Sequence, residues 1–157
     1  MPAAGFGSIP FMKVYFRNAL AIFVGFIAGS VLNMILVNIG PMIVPLPEGA
    51  DITTPEGLKE SMKLFTPMNF LFPFLGHALG TLLGAYCAAK LAVSHKLGMS
   101  LGVGLMFLLG GLAMVMMIGG PEWFIALDLL VAYLPMGYLG GAVAIGRKEA
   151  PENETNE

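Results

Sequence analysis

Charge is the scarcest property of this sequence. Of its 157 residues, Asp, Glu, Lys and Arg together make up only 11%, whereas a soluble domain carries about 25% charged residues. A folded surface so poor in charge would associate and precipitate in water, which excludes a water-soluble globular protein. The net charge of −2, without any cluster of basic residues, also argues against a nucleic-acid partner.

Cysteine and catalytic motifs are scarce as well. The single Cys87 excludes an intrachain disulfide and any C-x-x-C pair. The sequence contains no H-E-x-x-H motif, no glycine-rich phosphate loop and no obvious nucleophile with a base. We therefore expect neither a metal nor a cofactor. A protein that is not an enzyme is the favoured interpretation, and an intramembrane enzyme is the least favoured one.

Apolar residues, in contrast, are abundant. They make up 57% of the sequence, and the mean hydropathy is +0.81. Four apolar runs reach the length of about 20 residues that crosses a bilayer. These runs cover residues 18–40, 69–94, 99–119 and 123–146. We predict an all-α, polytopic membrane four-helix bundle, with residues 1–146 as the transmembrane domain and residues 147–157 as a disordered acidic cytoplasmic tail.

The basic residues predict the orientation of this bundle. With four spans, six of the eight basic residues fall on one side of the membrane and two on the other, and the side richer in Lys and Arg is normally cytoplasmic. Both termini are therefore predicted to be cytoplasmic. The six are Lys13, Arg17, Lys90, Lys96, Arg147 and Lys148, and the two are Lys59 and Lys63.

The long outer loop between the first two spans contains a helix pattern. Thr54 is a favoured N-cap residue, and Pro55 suits the first helical position. Leu58, Met62 and Phe65 recur at helical spacing. The pattern predicts a short amphipathic helix, which either lies on the membrane surface or folds over the bundle as a cap.

Small residues recur at intervals of four in the spans. Inside a membrane such stripes mark helix contacts, because they let two backbones approach closely. Two uses stay open: the stripes pack a single bundle, or some of them also join copies of the chain into a homo-oligomer or a larger membrane complex. The glycines are Gly25, Gly29, Gly76, Gly80, Gly84, Gly137 and Gly141.

Three polar residues lie within the apolar runs, at similar depths in the outer third of the bilayer: Asn33, His77 and Asp128. An aspartate at the centre of a membrane helix costs about 2.5–3.5 kcal/mol on insertion, so such groups normally face protein or water. We expect the three side chains to turn inward and form a polar centre. Pro135 should kink the fourth helix. On a continuous helix Tyr133 points away from Asp128, so it is not expected to join them.

This polar centre has two main interpretations. In the leading one, Asp128 accepts hydrogen bonds from His77 or Asn33 and locks the fold of a structural or accessory subunit that contacts membrane lipid. In the alternative, His77 and Asp128 serve a proton-coupled transporter or a small-molecule-binding membrane protein, since a histidine beside a carboxylate can change protonation near neutral pH.

Two stretches carry a family resemblance. "PFLGHALGTLLGAYCAAKLA" and "WFIALDLLVAYLPMGYLGG" resemble segments of small four-span bacterial integral membrane proteins. The resemblance covers most of the chain from the first span to Gly141. It implies a location in the bacterial inner membrane and an importance for His77 and Asp128. It implies no substrate.

Overall fold

The computed structural model describes residues 8–146, and all regular structure within them is helical. This confirms the all-α prediction; the acidic tail lies outside the described residues. The elements are α1 (Ser8–Ile43), α2 (Pro55–Ser61), a short 3₁₀ helix (Pro67–Phe70), α3 (Leu71–Leu91), α4 (Lys96–Ile118), α5 (Glu122–Val131) and α6 (Leu134–Ile145).

Four helical segments are long and apolar enough to cross a membrane. Their surface supports lipid as the surrounding solvent, because large apolar side chains such as Leu130 (73% exposed) and Met116 (87% exposed) face outward. We call the end of the bundle with the α1–α3 connection the loop end, and the opposite end the terminal end. The four segments are Met12–Ile43, Pro67–Leu91, Lys96–Ile118 and Glu122–Ile145.

The first helix is longer than the apolar run predicted. Its 36 residues extend about 54 Å at 1.5 Å per residue, against a hydrocarbon core of about 30 Å. The predicted outer loop began at Pro41, but this proline lies in the last turn of α1. There the helix still closes with a bond of 2.8 Å from the Val44 N–H to the Gly40 carbonyl, and so the connection to α3 is shorter than expected.

Glycines bring α1 and α3 into direct backbone contact. A β-carbon at Gly84 would lie 2.7 Å from the carbonyl oxygen of Gly25, and one at Gly80 would lie 2.8 Å from that of Gly29. No side chain fits in so short a gap. The contact therefore requires glycine, which has only a hydrogen atom in place of a side chain. Small residues stabilise pairs of membrane helices in this way.

The last helix, α6, lies between α3 and α4 and uses glycine on both sides. Gly140 faces α3, where a β-carbon would meet Ala85 at 3.0 Å. Gly137 faces Gly104 of α4, and Gly141 faces Ser100 of the same helix. The glycine stripes of α1, α3 and α6 are thus all occupied by helix contacts within this chain.

The fourth span is broken rather than merely kinked. α5 ends at Val131 and α6 begins at Leu134. Between them Tyr133 has a non-helical backbone, with φ of −114° and ψ of −81°. Pro135 explains the break, because its nitrogen cannot donate to the carbonyl of Val131 and its ring would collide with that group. The break changes the direction in which Tyr133 points.

Candidate functional site

A cavity of about 280 Å³ lies between the loop-end halves of α1 and α4. This volume is close to the lower limit of small-molecule sites in proteins. Val37 and Gly40 of α1 form one wall, and Val115 and Ile118 of α4 form the opposite wall. The cavity is lined mainly by apolar groups, as a lipid-soluble ligand would require.

The connection between α1 and α3 covers this cavity. We call residues 44–66 the roof segment. Leu58 of α2 and Met62, which follows the helix directly, line the cavity, so the amphipathic helix is a cap and not a surface helix. Ser61 fixes its end, because its hydroxyl accepts from the Asp51 N–H at 2.7 Å and donates to the Asp51 carbonyl at 3.0 Å.

A carboxylate stabilises the turn that precedes α2. Asp51 accepts from the N–H of Thr53 at 2.8 Å and from its hydroxyl at 2.6 Å. These hydrogen bonds lower the pKa of Asp51. Since the folded pKa lies below the ordinary value, the contribution to stability is present above that value and is lost as the pH falls through the folded pKa. The turn is therefore intact at neutral pH.

The floor of the cavity consists of His77 and Asp128, with Tyr133 behind them. The His77 Nδ1 atom lies 2.9 Å from Oδ1 and 3.0 Å from Oδ2 of Asp128. The Tyr133 hydroxyl donates to Oδ2 of Asp128 at 2.7 Å and lies 3.2 Å from the same His77 nitrogen. Two of the three residues expected in the polar centre thus meet.

Tyr133 is the residue that the sequence argument missed. It was expected to point away from Asp128, because that argument continued one helical phase across residues 123–146. The break at residues 132–133 changes the rotation of the following residues about the helix axis, so Tyr133 points toward Asp128. Gly111 of α4 leaves space for the phenol, because a β-carbon there would lie 2.5 Å from the Tyr133 hydroxyl oxygen. Pro135, two residues further on, was the available signal.

Asn33 does not join this group. Its Oδ1 atom is buried and has no hydrogen-bond partner among the described residues. The amide instead packs on α3 at Gly76, where a β-carbon would lie 2.6 Å from Oδ1. Asn33 therefore belongs to the contact between α1 and α3, although its depth is similar to that of His77.

The network directs one nitrogen of His77 toward its partners and leaves the other free. Nδ1 faces Asp128 and Tyr133, while Nε2 has no hydrogen-bond partner among residues 8–146. The His77 side chain is 28% exposed and lines the cavity. A carboxylate beside Nδ1 orients the ring and favours the tautomer with its hydrogen on that nitrogen.

Aromatic rings form the cavity wall on the side of α5. Phe70 is buried and packs on Phe65 and Phe124, with ring centroids 5.7 and 4.7 Å apart. All three line the cavity. Trp123 contacts Phe70 from outside, with centroids 5.5 Å apart. The wall offers both ring faces and ring edges to an occupant.

No cluster of three or more His, Cys, Asp or Glu side chains with metal-binding geometry occurs among the described residues. The Asp128 carboxylate already has two hydrogen-bond partners within the protein, His77 and Tyr133. The floor of the apolar cavity therefore contains an imidazole whose orientation is fixed by a buried carboxylate.

Comparison with known proteins assigns no family to this chain, since no family model, no curated protein and no solved structure matches it.

Proposed function

We propose that this integral membrane protein binds a small, lipid-soluble molecule in the cavity beneath the roof segment, with a polar group of that molecule on His77. One observation carries the proposal: an apolar, capped cavity ends on an imidazole that a buried carboxylate orients. Concave apolar sites with a few convergent polar groups are the usual form of ligand pockets.

The size of the cavity favours binding over a purely structural role. A polar lock between helices needs no space beside it, and protein interiors contain few voids larger than a water molecule. The volume of about 280 Å³ corresponds to about nine waters at roughly 30 Å³ each. A bound molecule of this size would make dispersion contacts with the apolar walls.

The packing below the floor favours binding over transport through the bundle. The His77 carbonyl accepts from the Thr81 hydroxyl at 2.7 Å, and Thr81 is fully buried. Ala85 and Val103 are also fully buried one to two turns further toward the terminal end. The cavity thus has a closed floor, as a binding pocket requires.

The membrane orientation is part of the same proposal. Lys13, Arg17, Lys90 and Lys96 lie at the terminal end, and among the described residues that end carries no acidic side chain. This distribution supports a cytoplasmic terminal end. The roof segment then faces the opposite side, and the bacterial inner membrane is the location that we propose.

Binding can be measured through the only tryptophan. Trp123 packs on Phe70 and Phe124 of the cavity wall, so the bromine atom of bromonaphthalene in the cavity lies one ring away from the indole, within the short range of heavy-atom quenching. For protein in lipid nanodiscs we expect saturable, one-to-one quenching above the linear background from bilayer partitioning. Val115→Phe fills the cavity and should weaken binding at least about tenfold, which corresponds to about 1.4 kcal/mol.

The matched control is Met116→Phe. Met116 is the next residue of α4, is 87% exposed and does not line the cavity, so this variant should bind bromonaphthalene as the wild type does. Quenching that rises linearly without saturation, or that is equal in Val115→Phe and wild type, would refute the proposed binding function.

A further inference from the structure

The hydrogen positions of the network determine what His77 can recognise. The Asp128 carboxylate accepts the Tyr133 hydroxyl on Oδ2, and His77 Nδ1 lies 2.9 and 3.0 Å from its two oxygens. An ionised carboxylate can only accept, so we place a hydrogen on Nδ1. A neutral imidazole with its hydrogen on Nδ1 has a lone pair on Nε2. With the imidazole neutral, Nε2 accepts a hydrogen bond, and the group that it selects is a donor.

Charge at this end of the protein restricts the ligand further. Asp128 lies directly beside His77, and the roof segment carries four acidic residues against two lysines. A carboxylate or phosphate in the cavity would be repelled by Asp128 and would lose its hydration among apolar walls. An uncharged donor avoids both costs. The simplest such donor is a hydroxyl group.

The walls favour an aromatic body for this hydroxyl compound. Phe65, Phe70, Phe72 and Phe124 all line the cavity. Their rings are tilted or perpendicular to one another where they touch, so a planar ring between them can form offset and edge contacts. Such contacts add to affinity beyond the area that they bury.

From these three features we infer the ligand class: an uncharged aromatic alcohol, that is, a lipid-soluble phenol or hydroquinone. Its ring lies against the phenylalanine wall, and its hydroxyl donates to Nε2 of His77. Tyr133 and Asp128 act as positioning residues, since they hold the imidazole and do not touch the ligand. The inference rests on the proposed binding function and specifies it.

A set of four probes of similar shape tests the ligand class in wild-type protein. They are naphthalene, β-naphthol, β-naphthyl methyl ether and decahydro-β-naphthol, each measured as displacement of radiolabelled naphthalene from protein in nanodiscs and corrected for partitioning into empty nanodiscs. We expect β-naphthol to bind about tenfold more tightly than naphthalene, the gain of one hydrogen bond in a dry site. The methyl ether cannot donate and should bind like naphthalene.

A separate comparison tests whether the ligand must be aromatic. Decahydro-β-naphthol has the hydroxyl but no ring face or edge for the phenylalanines, and should bind about fivefold more weakly than β-naphthol. In His77→Phe, β-naphthol should lose its advantage over naphthalene. The probe series does not depend on this variant, because the methyl ether makes the same comparison in the wild type.

The outcomes separate the two proposals. If naphthalene and the methyl ether bind as tightly as β-naphthol, the donor assignment is overturned while the cavity remains a binding site. If decahydro-β-naphthol equals β-naphthol, the aromatic assignment is overturned. If no probe displaces radiolabelled naphthalene and naphthalene itself shows no saturable binding, the proposed function fails first.

Discussion

Replacing Gly84 with leucine is expected to abolish the native bundle. Gly84 lies on the face of α3 that contacts α1, and even a β-carbon there would lie 2.7 Å from the Gly25 carbonyl oxygen and 3.2 Å from a Val103 methyl carbon. The carbonyl belongs to a helix backbone and cannot rotate away. Overpacking of a core by a few methylenes costs about 1–3 kcal/mol, and four carbons against a backbone should cost more than about 3 kcal/mol.

The free energy of unfolding can be measured by titration with sodium dodecyl sulfate in mixed micelles, followed by circular dichroism. The matched control is Gly110→Leu. Gly110 lies within α4 on the exposed side, and nothing would come within 4 Å of a β-carbon there. Leucine at this position should change stability by less than about 1 kcal/mol, in the stabilising direction that helix propensity predicts. Equal stability of the two variants would show that α1 does not pack on α3 at Gly84.

Tyr133→Ala is the second change for which we expect a large effect. Tyr133 is 1% exposed and is the largest fully buried side chain of the described residues. Truncation of a buried aromatic side chain to alanine costs about 3–5 kcal/mol, because contacts are lost and a cavity remains. Its hydroxyl also donates to Asp128 and lies beside His77. The variant should therefore lose stability and ligand binding together.

Two variants separate packing from hydrogen bonding. Tyr133→Phe keeps the ring and removes only the donor, so it should cost about 1 kcal/mol. Tyr138→Ala truncates the same residue type in the same membrane span at a position that is 53% exposed, and should be close to neutral. The unfolding titration described for Gly84 measures all three. A small effect of Tyr133→Ala, equal to that of Tyr138→Ala, would contradict the position of Tyr133 in the core.

The spans and the His77–Asp128 contact were accessible from the sequence for a physical reason. Lipid cannot hydrogen-bond a backbone, so an apolar run of sufficient length must form a helix. A fixed topology then assigns a depth to each residue. His77 and Asp128 have similar depths, and a buried carboxylate needs a donor. These two conditions predict that Asp128 meets a donor at its depth, and they leave His77 and Asn33 as the two candidates.

Depth alone did not determine which side chains share a face. Asn33 lies at a similar depth but faces Gly76 within the α1–α3 contact. The direction of Tyr133 was predicted wrongly because the span breaks before Pro135. The residues of α6 are therefore rotated about the helix axis relative to a continuation of α5. Phase is a property of an unbroken helix, so it should not be extended past a proline.

The cavity could not be predicted at all. Its volume is the difference between the space enclosed by five helices and the side chains that fill it, and no local pattern encodes such a difference. The sequence predicted a short helix in the outer loop with the apolar residues Leu58 and Met62, but not the cavity that these residues cover. Only the assembled bundle shows that these residues cover the cavity above His77.

The most direct test of the account is the position of the bromine in crystals of the protein grown with bromonaphthalene, located by anomalous scattering. The account predicts one strong peak beneath α2, among Phe70, Val115 and His77, and its loss in Val115→Phe crystals. A chamber without bromine, with peaks only on the lipid-facing surface around Met116 or Leu130, would contradict the claim that this membrane protein binds a ligand above His77.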